Sequence, residues 1–172
     1  MMKVIIHDLD PEKFINAFPG LKDRDDVRII AETQGIMKKC IGCFGCWIKT
    51  PAHCIIQDGY NEMPTQFDGD EKIIISRCVY GGYSRFVKNV FDRSIGSGTP
   101  FFEIRNGELK HVKRESTRKE PENFSVYMYG ENITDREKEM MTGLFIANKA
   151  NMGPGTTGEL HFIRDVYKEV PL

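Results

Sequence analysis

The chain reads as an α/β fold: a doubly wound, five-stranded parallel sheet with helices on both faces and one inserted β-hairpin. Three observations predict it. Short apolar runs, Val4-Ile5-Ile6, Val27 to Ala31 and Ile73-Ile74-Ile75, have the continuous character of strands buried in a parallel sheet. Helix signals alternate with those runs, as crossover connections between parallel strands require. Asn106-Gly107 stands between two extended segments, the strongest short hairpin signal available.

Each element has a local cause. Val4-Ile5-Ile6 forms the first strand. Asp10-Pro11-Glu12 starts a helix, with Asp10 as N-cap, Pro11 at the first helical position and Glu12 at the positive end of the dipole. Phe14, Ile15 and Phe18 give that helix its apolar face, and Pro19-Gly20 stops it. The run Val27-Arg28-Ile29-Ile30-Ala31 suits a strand covered on both sides. Tyr60 to Phe67 can hold a short helix, limited by Pro64.

Lys72 to Cys78 is the clearest buried strand, and it runs into the turn Val79-Tyr80-Gly81-Gly82-Tyr83. Ser84 caps the next helix, where Phe86, Val87, Val90 and Phe91 mark one face. The hairpin pairs Phe101 to Arg105 with Glu108 to Val112. Lys110, Lys113, Arg114, Arg118 and Lys119 then read as a solvated basic segment, or as an anchor for an anion. Phe124, Val126 and Met128 alternate with polar and aromatic residues in a fourth strand. Thr134 to Glu137 is a capping box, with Met140, Met141, Leu144 and Phe145 behind it. Leu160 to Val166 is expected to be the last strand.

The chain's 172 residues suffice for one domain spanning 1–172 with its own core. A net charge of −1 argues against a polyanion binder, and no nucleic-acid motif appears. No stretch approaches the roughly 20 apolar residues of a membrane span. Five cysteines with no signal-peptide pattern point to a reducing cytoplasm. In such a sheet, ligands bind outside the carboxyl ends of the strands where strand order reverses. The loops Asp8-Leu9-Asp10, Cys78 to Ser84 and Tyr129 to Asn132 are therefore the candidates.

Four cysteines, Cys40, Cys43, Cys46 and Cys54, form a C-x2-C-x2-C-x7-C series. Three chemistries suit it. A [4Fe-4S] cluster takes four thiolates, often with three closely spaced. Zinc sites usually pair two separate knuckles, a poorer match. Reduced thiols packed as small hydrophobes are the third. The fifth cysteine, Cys78, becomes a reactive thiol if Arg77 and the helix at Ser84 lower its pKa.

Two stretches resemble a known family. Ile74-Ile75-Ser76 through Val79-Tyr80-Gly81-Gly82 and Lys88 to Phe91-Asp92-Arg93, together with Cys40 to Asp58, resemble the flavodoxin-like NAD(P)H-dependent FMN reductases and iron–sulfur flavoproteins. The Tyr129-Gly130-Glu131-Asn132 turn also fits. The resemblance implies an FMN whose ring rests near Val79, Tyr80, Gly81, Gly82 and Tyr83, with Tyr129, Gly130 and Asn132 closing its second side. It implies a cluster on Cys40, Cys43, Cys46 and Cys54, and a homo-oligomer. Arg85 and Arg93 themselves read as helix-surface residues.

One departure is plain. The family's first strand runs into a glycine- and hydroxyl-rich loop that holds the flavin phosphate. Here that place reads His7-Asp8-Leu9-Asp10-Pro11-Glu12. A carboxylate 4 Å from a phosphate charge costs about 4 kcal/mol at an effective dielectric near 20. The helix dipole returns about 1 kcal/mol. Positive charge for a phosphate would have to come from Arg77, Arg85 or the basic segment.

Two functions follow from these residues. One is an FMN-dependent oxidoreductase or electron carrier, passing electrons from NAD(P)H or a protein donor to a small acceptor. The other is a flavin-free scaffold of the same fold, acting as a thiol- or metal-binding module or a protein-interaction domain.

Overall fold

A computed structural model describes residues 1–105, 107–114 and 121–172, with Lys113 described by its backbone alone. Asn106, Arg118 and Lys119 of the expected turn and basic segment lie outside the described residues. The elements run β1 (Lys3–His7), α1 (Pro11–Ala17), β2 (Val27–Ile30), α2 (Gly45–Ile48), α3 (Met63–Gln66), β3 (Glu71–Arg77), α4 (Arg85–Arg93), β4 (Gly98–Arg105), β5 (Glu108–Lys113), β6 (Asn123–Tyr129), α5 (Asp135–Met152), β7 (Leu160–Ile163) and α6 (Val166–Glu169). The chain divides into two compact units. The first takes in Met1–Thr33, Gly69–Val87 and Glu120–Leu172, and the second Gln34–Asp68 and Lys88–Lys119.

The first unit holds a five-stranded sheet in the order β2-β1-β3-β6-β7, every pair parallel. Sequence order reverses direction at β1, so the β1/β3 junction is the switch point. Ile5, Ile73, Ile75, Tyr127 and Ile163 face one layer, where Phe14 of α1, Leu21, and Val166 and Val170 at α6 cover them. On the other face, Phe124 stacks on Phe145 of α5 at 5.8 Å between ring centroids. Strand parity places Val126 and Met128 with Phe124, and both are fully buried. Burying such side chains contributes about 1.5–3 kcal/mol each.

The helix starts follow their local signals. Asp10 accepts the Lys13 N–H at 2.8 Å and caps α1. Thr134 and Glu137 close a full capping box on α5. The Ser84 hydroxyl accepts the Val87 N–H at 3.5 Å, and the Ser84 N–H donates to Ser76 at 2.9 Å.

Two expectations for the sheet are corrected. Val27, Arg28 and Ile29 are only half-buried, because β2 is an edge strand with one neighbour. The last strand ends at Ile163, not Val166. Asp165 accepts the Tyr167 N–H at 3.1 Å and starts the helical turn α6.

In the second unit, β4 and β5 pair antiparallel around Gly107, as the Asn-Gly signal predicts. Lys110 pairs with Glu108 at 2.7 Å, and the Arg114 side chain donates to the Gly96 carbonyl at 3.1 Å. Arg93, expected on a helix surface, is 1 % exposed. Its guanidinium meets Asp58 at 2.6 Å and donates to the Lys38 and Ile56 carbonyls. The helical periodicity alone did not reveal this partner, 35 residues earlier in the chain.

Candidate functional site

The candidate site lies in the first unit, at the carboxyl ends of β3, β6 and β7. The Cys78 N–H donates to the Tyr129 carbonyl at 2.9 Å, which extends the β3–β6 pairing by one residue. Cys78 and Tyr129 thereby reach the same rim. A cleft of about 640 Å³ opens there, lined by Arg77 at the end of β3 and by Cys78, Tyr129, Gly130 and Asn132 of the candidate loops. Glu131, Ile133, Glu137 at the start of α5 and Arg164 after β7 complete it. Sequence reasoning missed Arg164 and Glu137. The rule that ligands sit past strand ends could have found Arg164, one residue beyond Ile163.

Val79 to Tyr83 do not line this cleft. Val79 and Gly82 exchange both backbone hydrogen bonds at 3.0 Å, closing a two-residue turn. Tyr80 and Gly81 both have positive φ, 51° and 75°, the pattern of a type I′ turn. Tyr80 is 87 % exposed, so it bears that strained backbone without burying its ring. A Cβ on Gly81 would stand 2.8 Å from Met140 Cβ, so the turn rests against α5. Tyr83 is half-buried and accepts a hydrogen bond from the Asn148 side-chain amide at 3.1 Å. Burial pushes its phenol pKa well up, against the pull of that bond.

The surroundings of Cys78 work against a lowered thiol pKa. Partial burial pushes its thiol pKa up, and the Glu137 carboxylate adds to this. The Gly81 N–H opposes both without reversing the direction.

At the switch point the first-strand loop is engaged with its own sheet. Asp8 accepts the Arg77 backbone N–H at 2.9 Å through one carboxylate oxygen and the Tyr129 hydroxyl at 2.9 Å through the other. Burial raises the Tyr129 pKa strongly, and the Asp8 charge reinforces it. Tyr129 therefore stays a neutral donor. Behind Asp8, His7 is fully buried and stacks on Phe14 at 3.9 Å. Neither ring nitrogen meets a partner at hydrogen-bond geometry, and burial lowers the His7 pKa to about 4 against an opposing pull from the Leu9 backbone. Arg85, one of the cations considered for a phosphate, forms an ion pair with Glu32 at 2.7 Å.

The other four cysteines lie in the second unit. Cys43 is exposed, and Cys40, Cys46 and Cys54 are half-buried, all with free thiols. Phe44 adopts a left-handed φ of 54° and leads into α2, where Gly45 packs against Ile55. Burial raises the Cys46 thiol pKa, and the neighbouring Cys54, Cys40 and Cys43 add to it. The four thiols are within electrostatic reach. Yet among the described residues no three His, Cys, Asp or Glu side chains converge as a metal-binding group.

No family model matches the chain, and no curated protein matches its sequence. Solved structures do. An azoreductase from Bacillus anthracis str. Sterne aligns with a TM-score of 0.59 at 11% identity, over 98% of this chain and 89% of its own. A second azoreductase, AzrA, aligns with a TM-score of 0.57 at 7% identity, over 94% of this chain and 87% of its own. The fold is flavodoxin-like. Within it, the structure brings together three of the candidate cofactor-site positions, Tyr129, Gly130 and Asn132, with the candidate thiol Cys78, and leaves the Val79–Tyr83 turn outside the cleft lining. No helix among the described residues is long and apolar enough to cross a membrane.

Proposed function

We propose that this chain is a flavin-dependent oxidoreductase or electron carrier, taking electrons from NAD(P)H or a protein donor and passing them to a small acceptor. The observation that carries the reading is the open cleft at the ends of β3, β6 and β7 in a flavodoxin-like sheet. Two azoreductases share that fold, which supports a redox reading. A bound flavin would supply the electron-transfer chemistry, and the chain would position and tune it.

The ring side suits a planar heterocycle. Gly130 and Asn132 offer backbone and amide groups beside Tyr129. Tyr80, exposed and outside the cleft lining, would meet the ring only where it projects from the cleft. The phosphate side does not suit FMN in the usual way, because Asp8 and Asp10 stand where an anion would sit. That observation favours the second reading, a flavin-free scaffold with the cysteine stretch as a thiol module.

On the hairpin of the second unit, Phe101, Ile104 and Leu109 are exposed, which supports assembly with a second copy. Five free thiols support a reducing compartment, the cytoplasm.

The test is a flavin titration of the full chain followed by turnover. Quenching of flavin fluorescence at stoichiometric protein, with NAD(P)H oxidation by a quinone or azo dye that requires the flavin, is the expected result. A colourless protein that binds no flavin would sink the oxidoreductase reading and leave the scaffold.

A further inference from the structure

We propose that Asp8 fills, with the chain's own carboxylate, the seat that a ligand phosphate takes at the switch point, so that the cleft selects a flavin by its ring and takes riboflavin as readily as FMN. The inference rests on the flavin reading and names the ligand class for the same site.

Several donors of the seat are already used. In open parallel sheets a ligand anion is held by free backbone N–H groups at the first crossover helix and adjoining loops. Here Pro11 has no N–H, the Lys13 N–H is bonded to the Asp10 side chain, and the Phe14 N–H to the Asp10 carbonyl at 2.9 Å. The Arg77 N–H on the neighbouring strand and the Tyr129 hydroxyl both point to Asp8. These two bonds span 69 and 121 residues of sequence, so the carboxylate ties together the ends of β1, β3 and β6. An arriving phosphate would have to break both bonds and then sit beside two carboxylates.

The histidine next to Asp8 supplies this seat with no cation. His7, the side chain beneath it, is fully buried without a hydrogen-bond partner and stacked on an aromatic ring, an arrangement that suits the neutral form. The cleft itself is balanced. Arg77 and Arg164 are matched by Glu131 and Glu137, so its lining carries no formal net charge. A lining of this kind suits an uncharged polar ring system better than a dianion.

The experiment measures the affinities of the flavin-stripped full chain for FMN and for riboflavin. It adds thermal unfolding with inorganic phosphate, and repeats both on Asp8→Asn, which keeps the side chain's shape and removes its charge. We expect the wild-type affinities to differ by less than about fivefold, which is about 1 kcal/mol. We expect Asp8→Asn to shift the ratio towards FMN, and phosphate to leave the wild-type melting temperature unchanged. FMN binding tighter than riboflavin by more than that margin in the wild type overturns the proposal. If Asp8→Asn does not fold, the wild-type ratio decides alone. If neither flavin binds, the flavin reading falls and the phosphate measurement decides the seat. Stabilisation of the wild type by phosphate overturns its filling by Asp8, and no stabilisation upholds it.

Discussion

Arg93 and Asp58 form a buried ion pair in the second unit, 2.6 Å apart, with side chains 0% and 5% exposed. The pair is the hub of a hydrogen-bond network. Asp58 also accepts the Lys38 N–H at 2.9 Å and the Tyr60 N–H at 3.2 Å. Arg93 donates to the carbonyls of Lys38 and Ile56 at 3.3 and 3.2 Å. One helix-end arginine thus holds both flanks of the cysteine stretch. Bonds to several fixed acceptors are what a planar guanidinium provides and an ammonium does not.

Removing one member leaves the other charged and buried. Arg93→Met is therefore expected to destabilise by about 3–5 kcal/mol. Replacing Asp58 with Leu in the same chain should recover part of that loss. Denaturant unfolding of the two variants and the wild type measures both effects. A loss under 1 kcal/mol for Arg93→Met would contradict the network.

The same pair should make stability fall in strong acid. Burial alone would raise the Asp58 pKa, but the Arg93 guanidinium and the Lys38 and Tyr60 N–H groups outweigh it, and the net direction is down. A depressed carboxylate contributes its stability above its unfolded pKa and loses it as pH falls through the folded one. The loss should begin below the usual carboxylate range near pH 4. Urea midpoints followed downward from there should fall less steeply for Asp58→Asn than for the wild type.

His7 acts in a milder window. Its folded pKa is about 4 against an unfolded value of 6.5. Between these values the unfolded chain binds the extra proton, so stability falls as pH drops from 6.5 towards 4. The full shift corresponds to roughly 3 kcal/mol. His7→Leu removes the titrating ring and two unpartnered nitrogens, so stability measured between pH 7 and pH 5 should become nearly flat. An unchanged slope in His7→Leu would show that another group titrates there.

Tyr80 separates strain from function. A bulky residue at φ 51° is strained, and Gly or Asn relieves it. Tyr80→Gly should be neutral or stabilising by up to about 1 kcal/mol. If Tyr80 covers the flavin ring, the same substitution should weaken flavin binding by about tenfold, the scale of one aromatic contact. Gained stability with unchanged flavin affinity would remove Tyr80 from the site.

The thiols should differ in reactivity. Cys43 is exposed, whereas burial raises the thiol pKa values of Cys46 and Cys78. Alkylation of native protein at neutral pH, read by peptide mass spectrometry, should modify Cys43 first and Cys46 and Cys78 last. Early modification of Cys78 would support its reading as a reactive thiol.

Local chemistry was enough to read much of the architecture. Ile73 to Ile75 form a buried strand wherever they are placed in a parallel sheet, and Thr134 with Glu137 caps a helix using bonds three residues apart. Gly107 turns a hairpin through its own backbone freedom. The alternation of such signals carried the order of strands and helices, because each rests on neighbours in sequence. The departure at Asp8, Asp10 and Pro11 was visible for the same reason, as three residues in one short loop.

What those signals lacked was distance. That β2 lies at an edge, that Arg93 faces inward to Asp58, and that Asp8 reaches both Arg77 and Tyr129 depend on which segments meet after the chain has folded. The helical pattern around Arg93 shows an apolar face but not whether a carboxylate waits opposite the remaining one. Asp8 in the sequence is a charge that repels phosphate. Only with β1, β3 and β6 side by side does it become a carboxylate with two donors of its own, because hydrogen bonds act over about 3 Å of space and take no account of separation along the chain.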